Sequence, residues 1–263
     1  MRLIKEHSLQ KLEYLKKYIK GYLTATKRLQ AKYYIDAFAG TGKCLLHNTK
    51  QQVDGSSLIA LKTEGFFNKY ILIEKNENNF KILKECIKNE ILEDKLSLIE
   101  FYNENCNEFL KKYNYNPSPY VGYFVLLDPA GPELEWETIN VLSKLKKIDL
   151  LILYPYDMSL VRLVTKYPWK LDKFYGGNEW LDIYKKRRNA ANARNNLLKF
   201  YIHNLEGLGF ESKFIDCRPI RRKLREGKLL YYLIFVTHNP VAKKIISYIF
   251  DKELDGQETL KFN

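Results

Sequence analysis

Leu9, Leu12, Leu15, Ile19 and Leu23 recur at three- and four-residue intervals, which predicts an amphipathic helix over residues 6–29. The period then changes. Short apolar runs at 33–38, 70–74, 96–101, 121–127 and 149–154 predict five strands. Val121 to Leu127 has no polar alternation, as expected of a parallel strand buried on both faces. Asp54-Gly55-Ser56 signals a helix start, and helical patterns follow at 57–62, 77–90, 106–113 and 139–146. Residues 39–55 are expected to form a long loop. Beyond residue 160, Leu181 to Leu205 predicts one long basic helix, and 212–217 and 229–237 predict strands. The basic segment 218–228 joins that pair directly. A parallel connection needs a crossover, so the pair must be antiparallel.

Five βα units closed by such a pair predict an α/β fold. The expected sheet is Rossmann-like and of the class I methyltransferase type, mostly parallel, with a C-terminal antiparallel strand pair and a helical basic insertion. Nucleotide dehydrogenases would instead continue with parallel strands. A length of 263 residues suits a single domain. It divides into an N-terminal helix (1–30), a cofactor-binding core (31–160), a basic helical segment (161–210) and the strand pair (211–240).

Composition narrows the function classes. No run reaches eighteen apolar residues, so no membrane span is expected. Met1 to His7 lacks the apolar core of a secretory leader. Cys44, Cys86, Cys106 and Cys217 are scattered without a C-x-x-C pair, which predicts no metal site and fits reduced thiols in the cytoplasm. The net charge is +13, and Arg162 to Lys228, with 17 basic and seven acidic residues, carries most of it. That concentration predicts a nucleic-acid partner over a basic surface. Its densest parts are Lys185-Lys186-Arg187-Arg188 and the stretch Arg218 to Arg225, including Arg221, Arg222 and Arg225. The sequence leaves open whether the two clusters share a face.

The candidate chemistry begins at Asp36-Ala37-Phe38-Ala39-Gly40-Thr41-Gly42, a strand ending in an acid and running into two glycines. A P-loop aligned on Gly42-Lys43 would have Ala37 for its first glycine and Cys44 for its hydroxyl residue. The dinucleotide fingerprint would have Leu45 for its third glycine. The remaining template is an S-adenosylmethionine loop, with Phe38, Gly40 and Gly42 under the methionine part and Asp36 anchoring its ammonium. Gly55 and Ser56 start a helix whose N–H groups face the ligand's carboxylate. Glu74 ends the next strand, where a carboxylate accepts from both ribose hydroxyls. Asn105, in Asn103-Glu104-Asn105-Cys106-Asn107, is the candidate for the adenine amino group.

Leu127-Asp128-Pro129-Ala130-Gly131-Pro132 follows the fourth strand. Amino-methylating enzymes carry D-P-P-[YF] at this place, where carboxylate and carbonyl accept from the target amine and the aromatic stacks on a flipped base. Asp128 and Pro129 keep the hydrogen-bonding half, whereas Ala130 and Gly131 lack the stacking half. Trp136 or Tyr154 would supply the stack from elsewhere, although Trp136 equally suits a core anchor.

Together, Asp36 to Gly42, Asp54-Gly55-Ser56-Ser57-Leu58-Ile59-Ala60-Leu61, Ile71-Leu72-Ile73-Glu74-Lys75, Leu127 to Gly131 and Tyr231 to His238 resemble the three-Cys-motif partner (TcmP) family over residues 5–240. The resemblance implies a class I methyltransferase fold and pairing with a three-cysteine-motif protein, without fixing a substrate. Ser57 stands in place of the family's proline, Ala130 in place of its phenylalanine, and Glu6-His7 in place of Lys-His. It also suggests His7 at the site, while Tyr156, Asp157 and Arg162 follow the fifth strand as acceptor contacts.

The leading expectation is an S-adenosylmethionine-dependent methyltransferase acting on RNA or DNA, with Asp128 orienting the acceptor. Two other classes remain: a non-catalytic nucleic-acid- or protein-binding partner on the same scaffold, and a methyltransferase of small molecules or peptides.

Overall fold

The structure, a computed structural model, describes residues 2–156, 160–222 and 227–251. Its strands are β1 (Arg2–Ile4), β2 (Ala31–Asp36), β3 (Lys43–Leu46), β4 (Gln52–Asp54), β5 (Lys69–Ile73), β6 (Ile99–Tyr102), β7 (Val121–Leu127), β8 (Ile148–Pro155), β9 (Ile215–Arg221) and β10 (Leu229–Thr237). The helices are α1 (Glu6–Ala25), α2 (Ser56–Lys62), α3 (Glu77–Glu90), α4 (Glu93–Leu96), α5 (Cys106–Lys112), α6 (Trp136–Ser143), α7 (Leu160–Lys166), α8 (Pro168–Tyr175), α9 (Trp180–Lys185), α10 (Ala190–Gly207) and α11 (Pro240–Asp251).

Seven strands form one sheet in the order β6-β5-β2-β7-β8-β10-β9. The first five are mutually parallel, and β10 lies antiparallel between β8 and β9. From β2 the chain winds outward to β5 and β6, then returns to β7 on β2's other side. The strand ends therefore part between β2 and β7, where open α/β sheets take their ligands. Every residue of β7 and β8 is buried, as the unbroken apolar run required.

Each sheet face carries its own core. On one face, Tyr18 of α1 packs on Phe124 of β7 and Phe235 of β10, with ring centroids 5.0 and 4.8 Å apart. On the other, Leu110, Ile139, Phe174 and Tyr201 bring α5, α6, α8 and α10 onto the strands. Burying each such side chain contributes roughly 1.5–3 kcal/mol. On the first face α1 lies against α11. A Cβ at Gly21 would stand 2.6 Å from Ile245 Cγ2, so the missing side chain is what lets the two helices meet. The Tyr14 and Phe250 rings close the seam edge to face at 5.2 Å.

Asp149 ties α1 to the sheet. Tyr18 donates to its carboxylate at 2.6 Å, and the Thr237 hydroxyl donates to its other oxygen. Burial drives the carboxyl up to about 6, against the pull of the Thr237 and Tyr18 hydrogen bonds. A raised acid in the folded state costs stability once the unfolded chain ionises and the folded one does not. That cost is absent below the ordinary value of 3.8, grows as pH rises, and is complete above about 6. Its size is on the order of 3 kcal/mol. Asp149→Asn should therefore remove a downward slope in stability between pH 4 and 6. Urea melts of the two proteins across that range check this, and parallel pH profiles would exclude the linkage.

Several local expectations need correction. The 39–55 loop contains β3 and β4, which join β1 in a small sheet of order β1-β3-β4. The third core strand starts at Ile99 rather than 96, because Glu93–Leu96 closes a helical turn. The basic segment expected to be helical over 161–210 opens with two short helices, α7 and α8, the latter with Pro168 in its first turn and Gly176 as its left-handed cap. The single 181–205 helix is broken between α9 and α10. The Asn189 side chain accepts from Asn192 N and starts a new helix. Ser212–Phe214 is a 3-10 turn, so β9 extends to Arg221 and absorbs the first part of the basic connection.

Candidate functional site

Where β2 ends, the chain turns through Ala37 to Gly42 across the sheet's carboxyl edge. Ala39 N–H donates to Ile73 O at 2.9 Å, and Gly40 and Gly42 have φ of +65° and +78°, a region that favours glycine. Gly55 N–H donates to Gly42 O at 2.7 Å, and a Cβ at Gly55 would stand 2.7 Å from that same oxygen. This close approach clamps the loop to the start of α2. It also corrects an expectation, since the Gly55 N–H is occupied and is not offered to a ligand.

Asp36 lies under this loop rather than on a cavity wall. It is fully buried, accepting from Ser57 Oγ at 3.0 Å and from Tyr34 Oη and Phe38 N at 3.4 Å. Burial raises its carboxyl to about 6, the Ser56 and Ser57 hydroxyls pull it down, and the Asp128 charge pushes it up. The hydroxyls below the loop draw the carboxylate inward, so Asp36 shapes the loop instead of meeting an ammonium directly. Ser56 accordingly belongs to the loop's support and borders a narrow crevice shared with Lys11 and Asp128.

Above the loop is a cavity of about 680 Å³, within the range of small-molecule sites. Phe38, Glu74, Asn105 and Asp128 reach its wall, bringing together four residues singled out in the sequence. Glu74 is held from both sides: Gly40 N–H donates to Oε2 at 2.9 Å and Asn76 N–H to Oε1 at 2.8 Å. A carboxylate has about four acceptor positions, so each oxygen retains capacity for a hydroxyl. Asn105 Oδ1 accepts from Asn107 N at 2.9 Å and caps α5. Its oxygen is therefore shared with a structural role that the sequence reading had not given it.

Asp128 follows β7 and stands half-buried on the same wall, paired with Lys11 of α1. Nothing in the sequence singled out Lys11, which is one lysine of many on a helix 117 positions away. Pro129 is buried and fixes the turn after the carboxylate, while Ala130 is exposed. A Cβ at Gly131 would meet nothing within 4 Å, so the place where related motifs carry an aromatic is open.

Neither expected stacking residue fills it. Tyr154 is fully buried and exchanges a hydrogen bond with Tyr175 at 2.9 Å. Trp136 packs on Gly176 and edge-on against Tyr201 at 5.3 Å, as a core anchor. Tyr156 is also buried, donating to Asn195 and packing on Tyr232, and does not line the cavity. The side chains of His7 and Arg162, and residues Asp157 and Arg225, lie outside the described residues.

Five carboxylates line the cavity, those of Glu74, Glu104, Asp128, Glu133 and Glu135, against the ammonium groups of Lys75, Lys170 and Lys173. Burial raises the Glu135 carboxyl, but hydrogen bonds from Lys173 and Lys111, each at 2.9 Å, outweigh it and hold it below the ordinary range. Segment 162–228 thus reaches the cavity through α8 and not through its densest clusters. Lys185, Lys186, Arg187 and Arg188 are exposed at the end of α9 and in the following turn, away from the cavity wall, with Arg187 stacked 3.8 Å over Tyr184. Arg221 is half-buried and reaches Gly227 O at 3.5 Å, and Arg222 is exposed. Arg218, counted with this cluster, is only 1% exposed and donates to Tyr14 Oη at 3.2 Å, so it belongs to the interior. Among the described residues no group of His, Cys, Asp and Glu is arranged to hold a metal, and no helix is long and apolar enough to cross a membrane.

No family model matches the chain, and no curated protein does. Solved structures do. A Legionella pneumophila (strain Philadelphia 1) protein of the family DUF519 superposes with a TM-score of 0.51 at 11% identity, covering 91% of this chain and 92% of that one. An rRNA methylase from Streptococcus thermophilus gives 0.43 at 11%, covering 87% and 93%. TYW2 from M. jannaschii, in complex with AdoMet, gives 0.41 at 14%, covering 82% and 74%. Of these three the first alone exceeds 0.5, and at its identity it speaks for the fold: a Rossmann-like α/β domain.

Proposed function

We propose that this chain is an S-adenosylmethionine-dependent methyltransferase whose acceptor is a nucleic acid. The observation that carries the reading is the meeting of Glu74 and Asp128 on one cavity wall at the switch point between β2 and β7. The donor set fits a cationic nucleoside. Glu74 would take the ribose hydroxyls and Phe38 would border the ligand. Five carboxylates against three ammonium groups favour a sulfonium ligand and oppose a triphosphate. Bound there, S-adenosylmethionine supplies an electrophilic methyl group. Asp128 accepts a hydrogen bond from the acceptor's N–H or O–H and turns its lone pair toward the cavity. Lys11 holds the carboxylate in position through their ion pair. The motif likeness extends the proposal to the TcmP family and to a three-cysteine-motif protein as partner.

Calorimetry tests the cofactor: micromolar binding of S-adenosylmethionine or its demethylated product is expected, with no heat from ATP and magnesium. The reverse pattern would sink the proposal. The acceptor is tested by salt. Phosphate contacts release counterions, so affinity for single-stranded RNA should fall linearly on a log–log plot against salt. Neutralising Lys185, Lys186, Arg187 and Arg188 together should flatten that slope by about 3 units, at nearly one per phosphate contact. Arg221, Arg222 and Arg225 form a second set. A slope untouched by both sets would turn the acceptor toward a peptide or small molecule.

A further inference from the structure

We infer that Trp169 is the platform on which an unstacked nucleobase rests at the cavity mouth, with Lys170 beside it for the flanking phosphate; the inference rests on the methyl-transfer reading of the same cavity. Trp169 is the second residue of α8, behind Pro168. It lines the cavity that Asp128 lines, yet is 54% exposed. The other two indoles are used by the core: Trp180 is 1% exposed and donates to Asp172 at 2.8 Å, and Trp136 packs on Gly176. A large aromatic left half in water beside a cavity is unspent apolar surface of the kind that binding covers.

Its position answers the gap after Asp128 and Pro129. Ala130 and Gly131 supply no ring, and the space at Gly131 is open. An indole from α8 facing the same cavity replaces in space what the motif lacks in sequence. The platform is held firmly. Lys173, one turn on, pairs with Glu135, which also takes Lys111, and Phe174 is buried beneath. Lys170 is differently placed: its ammonium lies 5.4 Å from the Trp169 ring and 5.0 Å from the Tyr167 ring, with no carboxylate paired to it among the described residues. Aromatic faces flanked by an unpaired cation are the components of a single-strand site, where every base offers a π-face and the cation meets phosphate. A base stacked there would share the cavity with Asp128, as chemistry on an extruded base requires.

The experiment titrates a short single-stranded RNA, and an abasic strand of the same length, into the wild type, Trp169→Phe, Trp169→Ala and Lys170→Ala. Tryptophan emission and affinity are read together, and cofactor affinity is measured separately by calorimetry. The base-containing strand should quench emission in the wild type. Trp169→Ala should lose most of that quenching and weaken binding ~5- to 150-fold, the range for one stacked base. Trp169→Phe should restore most of the affinity, and the abasic strand should bind these three proteins alike. Lys170→Ala should weaken both strands and lower the salt slope by about 1. Unchanged affinity in Trp169→Ala, equal losses on both strands, or no binding of the base-containing strand by the wild type would each overturn the inference. Absence of cofactor heat in every protein would instead overturn the methyl-transfer reading, with the stacking result standing on its own.

Discussion

Asp128→Ala should lower methyl transfer ~10²- to 10⁴-fold, the span of a lost general acid–base or orienting group. Affinity for S-adenosylmethionine should stay within about threefold, because Glu74 and the glycine loop, not Asp128, form the nucleoside end of the cavity. Asp128→Asn separates charge from shape. It keeps an acceptor oxygen but loses the ion pair with Lys11, so turnover should fall while the fold is kept. Single-turnover transfer of a labelled methyl group to total RNA, alongside calorimetry, measures both quantities. An equal loss of cofactor affinity would make Asp128 a cofactor ligand. Unchanged turnover would remove it from the chemistry. No transfer by the wild type, with cofactor bound, would favour a binding partner on a methyltransferase scaffold.

Glu74→Ala should weaken cofactor binding by roughly 10- to 150-fold, the equivalent of about 1.5–3 kcal/mol for hydrogen bonds to a charged group. The carboxylate also receives Gly40 N–H and Asn76 N–H, so its removal loosens the glycine loop as well as the ribose end. Glu74→Gln retains one acceptor oxygen and should lose less. Amide exchange at Gly40 distinguishes the two contributions: faster exchange in the alanine variant without cofactor reports the loop. An affinity equal to wild type in both variants would place the ribose elsewhere.

The sheet was legible because its strands are long apolar runs whose period and order are local properties of the chain. Val121 to Leu127 was read with its observed boundaries, as was helix 77–90, which Asn76 caps. Phe38, Glu74, Asn105 and Asp128 were legible for the same reason, since each sits at or just beyond a strand end and the topology brings those ends together. What escaped depends on distance. Lys11 reaches Asp128 from a helix whose periodicity describes only its buried side. Trp169 stands on a short helix with no long repeat, flanked by Pro168 and Gly176. The inward turn of Asp36 depends on Ser57, a residue on another element, and the burial of Arg218 on Tyr14 of α1. Charge counts register a residue's sign and not its direction.

The seam between α1 and α11 has a consequence for how the molecule is made. Tyr14 of the first helix finds its cover in Arg218, 204 positions later, and in Phe250 of the last helix. Synthesis proceeds at about 5–20 residues per second, so Tyr14 waits roughly 10–50 s for these partners to leave the ribosome. Contacts this remote in sequence slow folding, and the side of α1 that α11 will cover is open to association with other chains meanwhile. A bulkier residue at Gly21, where α11 comes closest, should therefore reduce soluble yield through nascent-chain aggregation before any defect appears in the protein that does fold.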